Sequence, residues 1–270
     1  MNQGNHQGYQ QSRLPVPAAY EAVFSYFYHA VNNTDVAVTK TLLPTYQTIM
    51  VFVFGGKGIL HSAQETQLEV EQCMVLGPVK QAFDYTLPAG TSILVANFKD
   101  DAFYRFFGRA TMVGHPDELV EDNCFTALWE SLQHIPAPGA QVAYILDFCK
   151  PYLQDRHLLS AQLAAFEDEN QHPVKALAEA TGQSERNVQL HQKKQFGYTV
   201  KERQRYQRFL KAVQMVEQQV AAGAPVDWFD LIDACGYYDQ SQLIHDFRHY
   251  LRLSPKQYLK FQEDICLPKV

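Results

Sequence analysis

Two segments decide the fold of this chain: Val174-Lys-Ala-Leu-Ala-Glu-Ala-Thr-Gly-Gln-Ser-Glu-Arg-Asn-Val188 and Trp228-Phe-Asp-Leu-Ile-Asp-Ala-Cys-Gly-Tyr-Tyr-Asp-Gln-Ser-Gln-Leu243. Each begins with a short apolar stretch typical of a helix. A glycine follows, Gly182 or Gly236, which suits the positive φ of a tight turn. A second helix with polar residues at its start comes next. This order predicts a helix-turn-helix unit, whose second helix enters the major groove of DNA.

The residues around the two units predict further helices. Two copies about fifty residues apart are more specific than one, because short helix pairs are common. Ser184 is a good N-cap for the recognition helix of the first unit, and the second unit predicts one over about Gln240–Tyr250. Residues 199–222 predict a long amphipathic helix between the units, ended by Gly223-Ala-Pro225. Its apolar stripe consists of Phe209, Val213, Val216 and Val220.

The N-terminal half has a different pattern, of short β-like runs separated by turn residues. The turns contain Gly55-Gly56, Gly77-Pro78 and Pro88-Ala-Gly90. Strands at this spacing predict a barrel or a sandwich. The predicted strands are Val36–Leu43, Thr48–Phe54, Gly58–Ser62, Leu68–Leu76, Ala82–Leu87 and Thr91–Phe98, and Tyr20–Tyr28 suits a helix or a strand.

Helical spacing returns after Pro116. It predicts helices over Glu118–Leu132, Val142–Leu153 and Leu158–Phe166. The predicted fold class is therefore α+β: an N-terminal β-barrel, cupin-like domain with flanking helices, then an all-α domain with two helix-turn-helix units joined by a long helix. The predicted division is a disordered tail over residues 1–14, a β-rich sensing and dimerisation domain over 15–155, and a DNA-binding domain over 160–270.

The composition indicates an ordered globular protein, with 46% hydrophobic and 19% charged residues among 270. No apolar run approaches the ~20 residues of a membrane span, and the first residues lack the apolar core of a secretory signal. Five cysteines without CxxC spacing indicate thiols in a reducing cytoplasm. Residues 1–149 hold 7 Lys and Arg against 14 Asp and Glu, whereas residues 150–270 hold 16 against 15. The C-terminal half is thus the less acidic half, without a strong basic excess.

The C-terminal residues resemble the DNA-binding domain of the AraC family over roughly residues 170–262. Its second half is matched by Gly236-Tyr-Tyr-Asp-Gln-Ser241, Phe247-Arg248 and Leu253-Ser-Pro-Lys-Gln-Tyr258, and its first half by Leu177-Ala178, Gly182, Ser184-Glu-Arg186 and Phe196-Gly197. The resemblance implies seven helices and two recognition helices that enter successive major-groove segments on one face of DNA. It also implies a transcription regulator with an N-terminal sensing or dimerisation domain, double-stranded DNA as partner and RNA polymerase as a further partner.

Several positions depart from the family pattern. The family usually has arginines in the middle of the first recognition helix, where this chain has Leu190 and His191. Gln192 stands where the family usually has a buried aromatic residue. His245 stands at a common arginine position, and Arg252 replaces a glycine. The resemblance assigns DNA contacts to Ser184, Arg186, Asn187, Gln189, Lys193, Lys194, Gln240, Gln242, His245, Arg248 and His249. Glutamine can read adenine and arginine can read guanine, but few phosphate contacts remain, so binding sensitive to pH and salt is predicted.

A barrel rich in Phe and Tyr suggests a site for a small-molecule effector. The candidate lining is Tyr46, Phe52, Phe54, Phe83, Tyr85 and Phe98. The same side chains equally suit the core of the barrel. The histidines do not fit a cupin metal site, since His61 stands alone with Glu65 nearby and His115 far away. No catalytic motif is present, so neither a metal, a cofactor nor enzyme activity is expected.

The sequence leaves open an alternative function and the role of two predicted helices. The alternative to a regulator is a ligand- or protein-binding module whose helix-turn-helix units have weak or lost DNA affinity. A basic surface beside the recognition helices favours the regulator, and an acidic or apolar surface favours the module. The helices over Glu118–Leu132 and Val142–Leu153 are candidates for pairing in a homodimer, but their apolar stripes equally suit packing on the barrel.

Overall fold

The N-terminal half folds into two five-stranded sheets and the C-terminal half into helices, as the α+β prediction states. The structure is a computed structural model that describes residues 8–61, 67–108, 124–166, 173–260 and 265–266. Its strands are β1 (Tyr9–Leu14), β2 (Phe24–Asn32), β3 (Val38–Leu42), β4 (Thr48–Phe54), β5 (Gly58–His61), β6 (Gln67–Val70), β7 (Cys73–Leu76), β8 (Phe83–Leu87), β9 (Ser92–Phe98) and β10 (Ile265–Cys266).

The two sheets face each other across a shared apolar core. Their strand orders are β1-β2-β9-β4-β7 and β10-β3-β8-β5-β6. Neighbouring strands are antiparallel, except that β10 runs parallel to β3. The predicted run Leu68–Leu76 forms two strands in different sheets, β6 and β7, because the chain turns at Glu71-Gln72. Strands β3, β4, β5, β8 and β9 agree with the predicted runs to within two residues at each end. The run Tyr20–Tyr28 is corrected to a strand that begins and ends four residues later, and β10 is not among the predicted runs.

Strand β1 corrects the prediction of a disordered tail for part of residues 1–14. Tyr9–Leu14 pairs along its whole length with β2, and the Tyr9 side chain is buried between the sheets. The tail lacks an apolar pattern because β1 is an edge strand, and Gln10 to Arg13 lie exposed to water. Residues 1–7 lie outside the described part of the chain.

Three helices cover the outer face of the first sheet: α1 (Ala102–Phe107), α2 (Cys124–Gln133) and α3 (Pro138–Cys149). Their apolar stripes, including Leu128, Leu132 and Ile145, pack with Phe98 of β9 in one buried cluster. The stripes proposed for homodimer pairing therefore pack within the chain. Residues 118–123 of the first predicted helix lie outside the described residues, and the homodimer stays a prediction.

Seven α-helices follow in the described part of the C-terminal half, six of them within residues 170–262, where the resemblance implies seven. They are α4 (Leu158–Ala164), α5 (Pro173–Thr181), α6 (Glu185–Phe196), α7 (Val200–Ala221), α8 (Trp228–Ala234), α9 (Gln240–Leu251) and α10 (Pro255–Lys260). Gly182 and Gly236 have φ of 68° and 71°, so both turns adopt the predicted positive φ. The pairs α5–α6 and α8–α9 are the two helix-turn-helix units.

One buried cluster joins the two halves of the molecule. Leu43, Tyr46 and Ala82 of the N-terminal half pack into the same core as the helices around α7. The Tyr46 ring stacks on Tyr206 at 4.3 Å between ring centroids, and the Tyr206 hydroxyl donates to the Pro44 carbonyl. The helical half is therefore docked on the sheet half through aromatic side chains.

Candidate nucleic-acid interface

The first recognition helix, α6, presents a polar and basic face to solvent. Ser184 caps it by accepting a hydrogen bond from the Asn187 amide at 3.2 Å. Val188, Gln192 and Phe196 anchor its opposite face in the core. The predicted contacts that are exposed are Arg186, Asn187, Gln189, Lys193 and Lys194. Arg186, Gln189 and Lys193 are spaced i, i+3 and i+7, so they share one stripe of the helix.

The second recognition helix, α9, begins at Asp239, whose carboxylate accepts a hydrogen bond from the Gln242 amide at 2.8 Å. Leu243, Phe247 and other apolar side chains hold its inner face in the core. Gln240, His245 and Arg248 are exposed, and Gln242 and His249 are partly exposed. The Gln242 side chain is partly committed to local structure, because its Oε1 accepts from the Tyr238 amide at 2.9 Å.

A buried ion-pair cluster lies behind α9. The Asp246 carboxylate is 1% exposed and receives two arginines of α7. Arg205 Nε donates to Oδ1 at 2.7 Å, and Arg208 Nη2 donates to Oδ2 at 3.1 Å. Such a carboxylate is expensive to bury without partners. The cluster therefore fixes how α9 sits on the connecting helix α7.

The most basic stretch of the sequence, residues 201–211, is largely used inside the protein. Arg203 donates to the carbonyls of Leu163 and Ala164 at 2.9 and 3.0 Å, which holds α4 against α7. Arg205 and Arg208 bind Asp246. Only part of this run therefore remains available for phosphate contacts.

The N-terminal half covers one end of α9. The Ala82 amide donates to the Tyr250 carbonyl at 2.8 Å, and Gln81 Nε2 lies 3.3 Å from His249 Nδ1. Burial lowers the pKa of His249, and the nearby Arg205 adds to this effect. His249 therefore faces the N-terminal half, although the resemblance assigns it to DNA.

A cleft of about 900 Å³ separates the two halves beside this contact. Its N-terminal wall includes Tyr46, Phe83 and residues 76–81, and its C-terminal wall includes Lys193, Lys194, Glu202, Arg205 and His249. Lys80 and Glu202 close it on one side with an ion pair at 2.8 Å. The cleft thus touches both recognition helices and the sheet half at once.

The aromatic side chains predicted to line one ligand site lie in three different places. Phe52, Phe98 and partly buried Phe54 pack under the helices on the outer face of the first sheet. Phe83 and Tyr85 belong to the core between the sheets. Tyr46 lies in the cluster that joins the two halves. Of the six, the cleft brings together Tyr46 and Phe83.

Two of the departures from the family pattern on α6, His191 and Gln192, are partly or fully buried, whereas Leu190 is exposed. The Ser160 hydroxyl donates to Gln195 Oε1, so it accepts from His191 Nε2, which lies 2.8 Å away. Burial and the neighbouring His157 lower the pKa of His191. Gln192 is buried, and its Oε1 has no hydrogen-bond partner in the described structure. These two residues therefore attach α6 to the core rather than face solvent.

An acidic and aromatic surface lies on α8 and the turn that follows it. Phe229 and Tyr238 are 84% and 92% exposed. A groove of about 370 Å³ runs along Trp228 and Phe229, and Asp230 and Asp233 are exposed on the same helix. The carboxylates of Asp230 and Asp233 repel phosphate, so α8 itself is not a favourable phosphate contact.

His61, the histidine considered for a metal site, has a hydrogen-bond partner within the second sheet. Its Nε2 lies 2.7 Å from the Thr86 hydroxyl, on β8. Glu65 and His115 lie outside the described residues. Among the residues that the structure describes, no group of three His, Cys, Asp or Glu side chains is placed to hold a metal ion, and no helix has the length and apolar character to cross a membrane.

The comparisons with known proteins return matches only among solved structures. No family model and no curated protein matches the chain. ToxT from Vibrio cholerae aligns with TM-score 0.41 and 10% identity over 94% of this chain and 98% of that chain. The unsaturated fatty acid bound form of ToxT gives 0.40 and 9% over 96% and 97%. An RmlC-like cupin protein from Desulfovibrio desulfuricans gives 0.28 and 9% over 36% and 89%.

Proposed function

We propose that the chain is a sequence-specific DNA-binding transcription regulator of the AraC type. The observation that carries the proposal is the pair of helix-turn-helix units, each with a glycine at positive φ in its turn and an exposed polar recognition helix. Arg186, Gln189 and Lys193 supply base and phosphate contacts on α6. Gln242, His245 and Arg248 supply them on α9. The buried Asp246 cluster holds α9 rigidly, which suits a reading surface.

The proposal is tested by selecting bound sequences from random duplex DNA with the full-length chain at two salt concentrations. A regulator of this type enriches a site with two half-elements about one helical turn apart. Its affinity falls steeply with salt because released counterions accompany each phosphate contact. Enrichment of no sequence at either salt concentration contradicts the proposal.

A small-molecule effector is part of the proposed function, and the cleft between the halves is where we place it. Apolar and aromatic side chains line about half of the cleft, charged and polar side chains line the rest, and its volume of about 900 Å³ suits a small molecule. Because its walls include α6, α7 and α9, an effector bound there changes how the recognition helices sit on the sheet half. A thermal-shift screen of the chain and of the Tyr46→Ala variant tests this placement. A compound that stabilises both proteins equally does not bind in the cleft.

A protein-binding role is a second candidate, for the surface on α8 alone. Its exposed aromatic side chains beside Asp230 and Asp233 favour a partner with apolar and basic groups. RNA polymerase is one partner that a regulator meets at its site. Replacing Phe229 with Ser leaves DNA binding unchanged under this assignment and lowers transcription from the selected site. Loss of DNA binding in that variant excludes the assignment.

A further inference from the structure

The contact between Arg205 and His245 fixes which nitrogen of the imidazole carries a proton. Arg205 Nη2 lies 2.9 Å from His245 Nδ1. Arg205 Nη2 also lies 2.7 Å from Asp246 Oδ1. Arg205 Nε donates to the same carboxylate oxygen. The carboxylate is 1% exposed, so it holds the guanidinium in one orientation.

The protonation pattern follows from the chemistry of the two side chains. An arginine has only N–H donors and does not lose its proton in proteins. His245 Nδ1 must therefore be the acceptor in this contact. The Asp246 carboxylate is 3.9 Å from Nδ1, too far to take a hydrogen bond from it. With Nδ1 accepting from Arg205, the ring proton in this contact is on Nε2.

The position of His245 directs this proton toward the proposed DNA surface. The side chain is 71% exposed, and it lies on the outer stripe of α9 between Gln242 and Arg248. In the major groove, guanine presents two neighbouring acceptors, N7 and O6, while the cytosine and adenine amino groups are donors. Adenine and thymine each present a single acceptor, N7 and O4, and the adenine N7 lies beside a donor amino group. An outward Nε2–H therefore matches guanine, with its two acceptors, more fully than any other base.

We propose that Asp246 and Arg205 are positioning residues that make His245 a donor-only reader of guanine in the second half-element. The inference rests on the proposed function and deepens it, because it names the base that α9 reads. It also accounts for the departure at this position. His245 stands at a position where the family commonly has an arginine. Its contact with Arg205 favours the tautomer that presents an N–H to DNA.

The first half of the test is the tautomer itself, measured without DNA. Nitrogen-15 NMR of the imidazole distinguishes the two neutral forms in the full-length protein at pH 8. The expected spectrum shows His245 with the proton on Nε2. In Arg205→Ala the contact is gone, so the signal shifts toward a mixture of tautomers. A proton on Nδ1 in the unaltered protein overturns the inference whatever DNA binding shows.

The second half of the test uses the selected duplex with single guanines replaced by 7-deazaguanine, which lacks the N7 acceptor. One replacement in the α9 half-element is expected to weaken binding by about fivefold, the effect of one hydrogen bond. His245→Ala binds both duplexes equally. Arg205→Ala shows a clearly smaller difference between them. If no replacement weakens binding of the unaltered protein, His245 is not a guanine reader.

Arg208→Ala is the matched control. It removes an equivalent arginine from the same carboxylate but leaves Arg205 and its contact with His245 in place. It is expected to lose stability yet keep the full 7-deazaguanine effect. If both arginine variants lose the 7-deazaguanine effect equally, Arg205 affects binding only by stabilising the protein. That result overturns its role in positioning His245. If no duplex is selected, the proposed function and the reading of guanine both fail, while the NMR result stands on its own.

Discussion

Arg252 adopts a backbone conformation that L-residues rarely take. It ends α9 with φ of 60°, in the left-handed region where the family has a glycine. A residue with a Cβ atom is strained by about 1–2 kcal/mol in this region, and glycine avoids that strain. Glycine also has greater conformational freedom in the unfolded chain, which offsets part of the gain. We therefore expect Arg252→Gly to stabilise the protein by about 0.5–1 kcal/mol in urea unfolding.

Gly236→Ala is the matched control for this prediction. Gly236 has φ of 71°, and a Cβ there meets no heavy atom within 4 Å. Its loss of stability, about 1 kcal/mol, therefore reports backbone strain alone. An Arg252→Gly variant that is less stable than the unaltered protein shows that the arginine side chain contributes more than the strain it causes.

At the scale of the element, Asp239 has two separable effects on α9. Its carboxylate caps the helix at Gln242, but its charge lies at the end that approaches DNA. Asp239→Asn keeps the cap and removes the charge, so we expect nearly unchanged stability and tighter DNA binding. Asp239→Ala removes both and is expected to lose about 1 kcal/mol in the free energy of unfolding. Unfolding curves and titrations of labelled DNA measure the two effects separately, and unchanged DNA affinity in Asp239→Asn places the carboxylate away from phosphate.

The elements differ in how far the sequence alone predicts them. The helix-turn-helix units are predictable because each carries its own turn glycine, cap and apolar face, as Gly182 and Ser184 show. Strand β1 cannot be predicted in this way, because it pairs with residues of β2 that lie 13 to 23 positions away and its own pattern is polar. The buried position of Asp246 is predictable in part, since a carboxylate three residues after buried Leu243 falls on the inner face of a helix. The lining of the cleft is not predictable from the sequence, because it is formed by residues that lie far apart along the chain and come together only in the folded protein.

At the scale of the whole molecule, we expect the sheet half and DNA to compete for the end of α9. Gln81 and Ala82 contact His249 and Tyr250. We expect that joining Gln81→Cys to His249→Cys with a short bismaleimide holds the two halves together and lowers DNA affinity at least tenfold. Both single variants, treated in the same way, serve as controls. Unchanged affinity of the joined protein shows that DNA binding does not require this contact to open.

The contact at His249 also predicts a dependence on pH. Burial lowers the pKa of this imidazole below its ordinary value of 6.5, and Arg205 and His245 lower it further against the opposite effect of Asp246 and Glu202. The neutral form is favoured in the folded protein, so its contribution to stability is present above pH 6.5 and is lost as the pH falls through the lowered pKa. Thermal unfolding at pH 5.5 and 7.5 is expected to show a larger difference for the unaltered protein than for His249→Gln. Equal differences contradict this role.

The central claim is that α6 and α9 each read one half of a DNA site. It is tested most directly by running the random-duplex selection in parallel with the unaltered protein, Gln189→Ala and Gln242→Ala. We expect two half-elements for the unaltered protein. Each variant is expected to lose sequence preference within one half-element, and the two variants are expected to lose it in different half-elements. The same enriched sequence for all three proteins, or none for any, contradicts it.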